Sequence, residues 1–165
     1  MASVDISART DYAVRALLTL AAAQRDRETG GDEPHTAAVS VDVLVREQGL
    51  PRKFLEAIVA DLRRGGLVTS RRGPTGGYAL ARPAHEIFLG EVFRTVDGPL
   101  AEVRGLRPHE TAYTGAAEHL PVVWVAVRAI LRRVLDETSL ADVLEGRLPA
   151  HVVDLAAAPD AWRNR

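Results

Sequence analysis

Basic side chains concentrate in one part of this sequence. From Arg46 to Arg82 there are eight arginines and lysines against three acids, although the whole chain of 165 residues has a formal net charge of −1. Guanidinium and ammonium groups neutralise phosphates, so a basic segment within a near-neutral chain favours a surface that faces a polyanion. A solvated face of mixed charge is the alternative that charge alone leaves open.

The stretch 71–80, RRGPTGGYAL, combines two arginines with three glycines and a proline. A nucleotide-binding P-loop needs Lys-Ser or Lys-Thr after its glycines at the start of a helix, and a dinucleotide fingerprint also runs from a strand through glycines into a helix. Here the glycines lead into the strand-like Tyr78-Ala79-Leu80 without a lysine. The stretch is therefore predicted to be a β-hairpin with a basic tip, and not a phosphate-binding loop.

Two short helices are predicted before this hairpin. Ser40 is a suitable N-cap for the first helix, Gly49 ends it, and Pro51 stands in the first turn of the second. The second helix places Arg52 and Lys53 at its N-terminal end, where the helix dipole is positive. Two short helices joined by a tight turn and followed by a hairpin have the layout of a winged helix-turn-helix, whose second helix faces the base edges of DNA. Its predicted apolar face carries Phe54, Leu55, Ile58, Val59 and Leu62.

Helical periodicity predicts two further helices around this unit. The first runs from an N-cap at Ser7 to about Gln24 and is followed by a polar loop over 27–36. Another helix spans 87–96 and ends at the turn-forming Asp97-Gly98-Pro99. The expected fold class is mostly α-helical, with a small β-hairpin as the wing.

A long C-terminal helix is predicted over 120–135, after an irregular segment. Its apolar residues recur at alternating spacings of four and three, as in a heptad seam. Such a seam packs either against a second copy of the chain or against the chain's own core. A short helix is predicted over 140–144, and the sequence from Gly146 onward is predicted to be a loosely held tail. The seam residues are Leu120, Trp124, Val127, Leu131 and Val134, and Val123 and Ile130 widen the seam.

Composition excludes several kinds of site. The chain has no cysteine, so disulfides, thiolate zinc sites and cysteine-ligated iron–sulfur clusters are excluded, and its five scattered histidines predict neither a metal site nor a catalytic site. We therefore predict no enzyme activity, no metal and no cofactor. The apolar run 16–23 follows mixed charges, unlike a secretion signal, and no run approaches the ~20 residues that span a bilayer. A cytoplasmic protein without a membrane partner is expected.

Five segments together carry a resemblance to one family. The sequence is similar to the Rrf-two family of bacterial winged-helix transcription regulators over nearly the whole chain. That family includes the iron–sulfur cluster regulator, the nitric-oxide-sensing repressor and the cysteine-metabolism repressor. The matching segments are 11–17 (DYAVRAL), 50–56 (LPRKFLE), 61–68 (DLRRGGLV), 72–81 (RGPTGGYALA) and 96–98 (VDG).

The resemblance implies roles for particular residues. The helix over 51–64 would enter the major groove with Glu56 helping to read bases, and Arg72 would reach the minor groove. The helix over 120–135 would cross its mate in a homodimer, so that two winged units meet a palindromic operator in double-stranded DNA. The implied divisions are a DNA-binding domain (1–98), a linker or effector loop (99–118), a dimerisation helix with a capping helix (119–146) and a tail (147–165). The candidate DNA-binding residues are Arg52, Lys53, Glu56, Arg63, Arg71, Arg72, Thr75 and Gly76.

The segment 99–118 departs from the family pattern. Cluster-binding members carry three cysteines there, whereas this chain has none. The resemblance therefore implies a regulator without a cluster, expected to be a repressor. Two alternatives remain open: a winged-helix module that binds another protein, and a regulator controlled by a partner protein instead of a small ligand. The segment itself identifies no effector.

Overall fold

A computed structural model describes residues 6–30, 38–74 and 76–163. Within them the chain is mostly helical, with one two-stranded antiparallel hairpin. Single turns of 3₁₀ helix lie at Ala84–Glu86, Pro108–Glu110 and Gly115–Ala117. The α-helices are α1 (Ala8–Gly30), α2 (Val41–Gln48), α3 (Arg52–Arg64), α4 (Leu89–Val96), α5 (Leu120–Asp136), α6 (Leu140–Glu145) and α7 (Ala150–Ala156), and the strands are β1 (Val68–Arg71) and β2 (Gly77–Leu80).

The turn between α2 and α3 forms from the local signals in the sequence. The hydroxyl oxygen of Ser40 accepts a hydrogen bond from the backbone N–H of Val43 at 3.3 Å, which caps α2. Gly49 ends α2 in the left-handed conformation, with φ of 65° and its N–H donating to the carbonyl of Val45. Pro51 then precedes the first residue of α3. The predicted helix-turn-helix is therefore confirmed.

One hydrophobic core lies beneath this unit. α3 contributes Leu55, Ile58, Val59 and Leu62, all of which are buried. α1 packs its small and branched side chains against the same core, which Leu44 of α2 also enters. Burying each such side chain stabilises the fold by roughly 1.5–3 kcal/mol, so the core fixes the orientation of α3. Because these four residues bury one face of α3, the opposite face is the one exposed to solvent.

The hairpin is anchored to the segment before α2. Val68 pairs with Leu80, and the register runs to Arg71 opposite Gly77. Tyr78 also exchanges two backbone hydrogen bonds with Val39, of 2.7 and 2.8 Å. Because Tyr78 is paired with Ser70 on one side and hydrogen-bonded to Val39 on the other, β2 is fixed close to the point where the turn joins it. This is the predicted wing.

The short helix α6 belongs to the same body as the winged unit. Leu140 is fully buried in the core, and backbone hydrogen bonds of 2.9 Å run from Leu89 to Thr138 and from Leu140 to Ile87. These bonds place the N-terminal ends of α4 and α6 side by side, so the chain returns from α5 to the winged body within the segment 119–146 that the sequence groups as one division.

Two stretches of the chain differ from the sequence-based predictions. α1 continues to Gly30 and does not end near Gln24, and an ion pair between Arg25 and Asp26 lies on this extension. The predicted polar loop is thus helical up to residue 30, and its part over 31–36 lies outside the described residues. Arg25, Asp26 and Thr29 of the extension are exposed, so the hydrophobic pattern that predicted the helix does not continue into this part of it.

The predicted loose tail contains the helix α7. Pro149 precedes its first residue, which suits a proline because the first turn of a helix needs no N–H partner. The ring Nε2 of His151 lies 3.1 Å from the carbonyl oxygen of Arg133, which ties α7 to the end of α5. The indole N–H of Trp162 donates to the carbonyl of Ala156 at 2.7 Å. The proline and alanine content of 147–165 predicts a loose tail, whereas in the structure Pro149 precedes and Ala150 begins a helix.

Candidate DNA interface

The exposed face of α3 carries the predicted contact residues of that helix. Arg52, Lys53, Glu56 and Arg63 are all exposed to solvent. Because the opposite face is buried in the core, these four side chains point away from the protein body. The structure therefore brings them to one surface, as a DNA-reading helix requires.

Arg52 is held by two acids. Its Nε donates to Oε1 of Glu56 at 3.0 Å, and its Nη1 lies 2.5 Å from Oδ1 of Asp42 on α2. These partners raise the pKa of the Arg52 guanidinium above its ordinary value, first through the hydrogen bond to Glu56 and then through Asp42. The guanidinium stays charged in any case, so the consequence is positional: Arg52 and Glu56 fix one another at the N-terminal end of α3.

Other basic side chains differ in how strongly they are neutralised. Lys53 forms no ion pair within the described part of the chain, and Arg63 makes only a 3.4 Å hydrogen bond to the hydroxyl of Ser70 on β1. Arg64 pairs with Asp61, which also pairs with Arg9 of α1. The charge of Arg64 is therefore neutralised by Asp61, while Lys53 and Arg63 remain available to bind a phosphate.

The wing tip carries two exposed arginines. Neither Arg71 nor Arg72 forms an ion pair with any described residue, and both are exposed. Gly76 shapes the turn, because its N–H donates to the carbonyl of Gly73 at 2.9 Å and a Cβ there would lie 2.5 Å from the carbonyl oxygen of Arg71. Thr75, the remaining predicted wing residue, lies outside the described residues. The tip thus presents two cations beside a compact turn. Gly76 allows that turn to form because it has no Cβ.

Phe54 departs from the predicted apolar face of α3. It is 40% exposed, whereas the other four apolar residues of that face are buried. Its ring meets Tyr12 of α1 edge-on, with centroids 5.9 Å apart and planes at 87°. Phe54 therefore joins α3 to α1 at the rim of the core, a role that helical spacing alone did not distinguish from burial.

α5 turns the predicted seam toward its own chain. Leu120, Trp124, Val127, Leu131 and Val134 are each half-buried within the protomer. The apolar residues of α5 that are most exposed are Val122, Val123, Val125 and Ile130, at 70, 51, 42 and 56%. The first set is thus partly covered by its own chain, whereas Val123 and Ile130, which widen the predicted seam, face solvent together with Val122 and Val125.

A cleft of about 380 Å³ lies where α4, the segment after it and α5 meet. Four arginines and one aspartate line it, together with Gly98, Pro99 and Leu100. Arg128 and Arg132, four residues apart on one helix face, are the one sequence signal of the cleft, since residues at that spacing are neighbours. The arginines are Arg94, Arg107, Arg128 and Arg132.

The geometry can be compared with proteins of known family. The sequence profile of the Rrf2 (Rrf-two) family, described as "Iron-dependent Transcriptional regulator", matches residues 6–146. This chain belongs to the Rrf2 family. It is therefore a winged-helix transcriptional regulator with DNA as its partner, and not an enzyme, as the sequence predicted.

Individual members agree with that assignment. A protein of Mycobacterium tuberculosis, Rv1287, named as an HTH-type transcriptional regulator, is 45% identical over 151 residues, covering 92% of this chain and 88% of that protein. The structure of CymR, the global cysteine regulator of B. subtilis, superposes with a TM-score of 0.67 at 27% identity, covering 86% of this chain and 97% of CymR. T. potens IscR gives a TM-score of 0.63 at 28% identity, covering 91% of this chain and 96% of IscR. The winged-helix fold is thereby confirmed.

The family description raises the question of iron. A cysteine-ligated cluster does not fit this chain, because the sequence contains no cysteine. Among residues 6–30, 38–74 and 76–163, no three His, Asp or Glu side chains are grouped closely enough to hold a metal ion. The described residues therefore do not fit the iron site that the family description implies. No helix in the same ranges is long and apolar enough to cross a membrane.

Proposed function

We propose that this Rrf2 member is a cytoplasmic homodimer that represses transcription by binding a palindromic operator, and that it does so without an iron–sulfur cluster. Each protomer inserts α3 into a major groove and lays its wing along the adjacent minor groove. Two such units on one face of the duplex read half-sites about 34 Å apart, one helical turn of DNA. A dimer held there blocks access to the promoter.

The observation that carries the proposal is the placement of unneutralised cations. Lys53 at the start of α3 and Arg71 and Arg72 on the wing tip are exposed and form no ion pair with any described residue. Phosphate neutralisation supplies most of the affinity for DNA, and arginine also suits a narrow minor groove. A protein-interaction module would have no need to keep these charges free on both elements.

Glu56 supports sequence-specific reading. A carboxylate on a DNA-facing surface repels phosphates, so it weakens non-specific binding, but it can accept a hydrogen bond from the amino group of cytosine. Its ion pair with Arg52 holds it at the N-terminal end of α3, where base edges are reached. A purely electrostatic DNA binder would gain nothing from an acid there.

The homodimer is supported by α5. Exposed apolar residues cost free energy in water, and Val122, Val123, Val125 and Ile130 fall on one helix. A second copy of α5 would cover them. The predicted seam residues would then hold α5 to its own protomer, while these four form the contact with the mate.

Selection of genomic fragments by the pure protein tests the proposal. We expect palindromic sequences to be enriched, with an affinity that falls steeply between about 50 and 200 mM salt because bound phosphates release counterions. A scrambled palindrome of the same composition serves as the control. Absence of enrichment at low salt, from a protein shown to be dimeric, would contradict the proposal.

A further inference from the structure

The cleft between α4 and α5 has an unbalanced set of charges. Asp136 is the sole acid among the described residues that line it, and it is shared between Arg94, at 2.8 Å, and Arg132, at 3.4 Å. Arg107 and Arg128 have no carboxylate partner among the described residues. Arg128 meets only the ring Nδ1 of His109 at 3.4 Å. Two guanidinium groups thus face a shared space with their charge uncompensated.

A tight turn closed by a single antiparallel bridge lies directly before Arg107. Val103 and Leu106 exchange backbone hydrogen bonds of 2.9 and 3.0 Å. Arg104, at the turn, adopts a left-handed φ of 54°, as does Ala101 nearby at 53°. Residues other than glycine adopt this region only where surrounding contacts impose it. Arg107 is therefore presented at the edge of the cleft by a defined turn.

We propose that this cleft binds a small organic anion with two acidic groups, a dicarboxylate or a phosphate ester. The volume of about 380 Å³ lies in the range of small-molecule sites. The planar fork of arginine binds both carboxylate and phosphate through paired N–H groups, which a single lysine cannot do. Pro99 and Leu100, also at the cleft, would contact the apolar part of the ligand.

Such a ligand would couple DNA binding to the dimer helix. Arg94 lies on α4, which belongs to the winged body, while Arg128 and Arg132 lie on α5. An anion that bridges the two sets would favour one angle between the winged body and α5, and hence one spacing of the two α3 helices. This coupling rests on the proposed function, whereas the binding of the anion does not.

Binding of two probes in the absence of DNA tests the site. Calorimetric titrations use inorganic pyrophosphate for the phosphate class and succinate for the dicarboxylate class, each at constant ionic strength set with sodium chloride. The test variant combines Arg107→Gln with Arg128→Gln. Replacing these two arginines breaks no ion pair among the described residues. The matched control is Arg133→Gln on the same helix, because Arg133 does not line the cleft.

We expect at least one probe to bind the wild type, and the double variant to raise its Kd at least about tenfold, since a hydrogen bond to a charged group contributes that much. The control should stay within about twofold of the wild type, and unfolding midpoints without probe should be equal. Absence of binding by both probes at about 10 mM, a concentration far above typical ligand affinities, would overturn the site. Equal binding to wild type and double variant would also overturn it.

The DNA arm separates the two proposals. If the site exists and the regulator works as proposed, the bound probe changes operator affinity in the wild type and leaves it unchanged in the double variant. Anion binding with no operator binding under any condition would contradict the proposed function and leave the site standing. Operator binding without anion binding would contradict the anion site and leave the proposed function standing.

Discussion

Arg52 and Glu56 form an ion pair one turn apart at the start of α3, with Nε and Oε1 separated by 3.0 Å. The pair sits on the face that the buried side of α3 leaves to solvent. It places a positive and a negative group together where base edges would be read. An acidic side chain next to an arginine lowers the affinity for phosphate at any DNA sequence. It therefore favours sequence specificity over total affinity.

The variant Glu56→Gln tests whether Glu56 contributes to sequence specificity. Loss of the carboxylate removes the repulsion of phosphates and frees Arg52 from one of its two partners. We expect tighter binding to non-specific DNA and a fall of about tenfold in the ratio of operator to non-specific affinity, the worth of one base contact. Competition binding measures the ratio. Glu102→Gln, an exposed acid in the segment after α4, is the control, and an unchanged ratio for Glu56→Gln would contradict the assigned role.

The variant Arg72→Ala should weaken operator binding by about tenfold or more and reduce the dependence of log K on log salt by about one phosphate contact. The reason is that Arg72 has no ion pair among described residues, so its charge is available to DNA. Titrations at several salt concentrations measure both quantities. Arg147→Ala, near the end of α6, is the control, and dimer mass should be the same in all three proteins. An unchanged salt dependence would remove Arg72 from the interface.

The variant Gly77→Ala should displace the wing. Gly77 has φ of 156°, and a Cβ there would lie 2.3 Å from the carbonyl oxygen of Val39, a backbone atom that cannot move aside. We expect a loss of about 2 kcal/mol or more in the free energy of unfolding, measured in urea, together with weaker operator binding. At Gly73, with φ of 113°, a Cβ meets nothing within 4 Å, so Gly73→Ala measures the backbone strain alone. Equal losses for the two variants would show that contact with Val39 is unimportant.

The double variant Val123→Glu with Ile130→Glu should produce monomers. Both side chains are more than half exposed on α5, so charges there are tolerated by the protomer but not by an apolar contact with a mate. Sedimentation measures the mass, and operator affinity should fall with it. Leu106→Glu, at 45% exposure on a different element, is the control. A dimer that survives the double variant would place the interface elsewhere.

The predicted seam residues of α5 are partly covered by the protomer itself. Trp124 is half-buried within its own protomer, and its indole nitrogen is buried without a hydrogen-bond partner in the described chain. The heptad spacing correctly predicted a long helix with an apolar stripe. The spacing did not predict which part of that stripe the chain itself covers: the five spaced residues are half-buried, whereas Val123 and Ile130, which widen the stripe, are more than half exposed.

The sequence by itself determined the DNA-reading half of this protein. Ser40, Gly49 and Pro51 act on backbone groups a few residues away, and Gly76 acts within the turn of the wing, so those elements could be predicted without tertiary information. The absence of cysteine excluded a cluster ligated by its thiolates on composition alone. Only the tertiary structure decided what depends on distant segments: Gly77 against Val39, the outward face of α5, and the convergence of Arg94, Arg107 and Arg128 on one cleft. Spacing along a chain fixes which residues share a helix face, but the packing of remote segments fixes what that face meets.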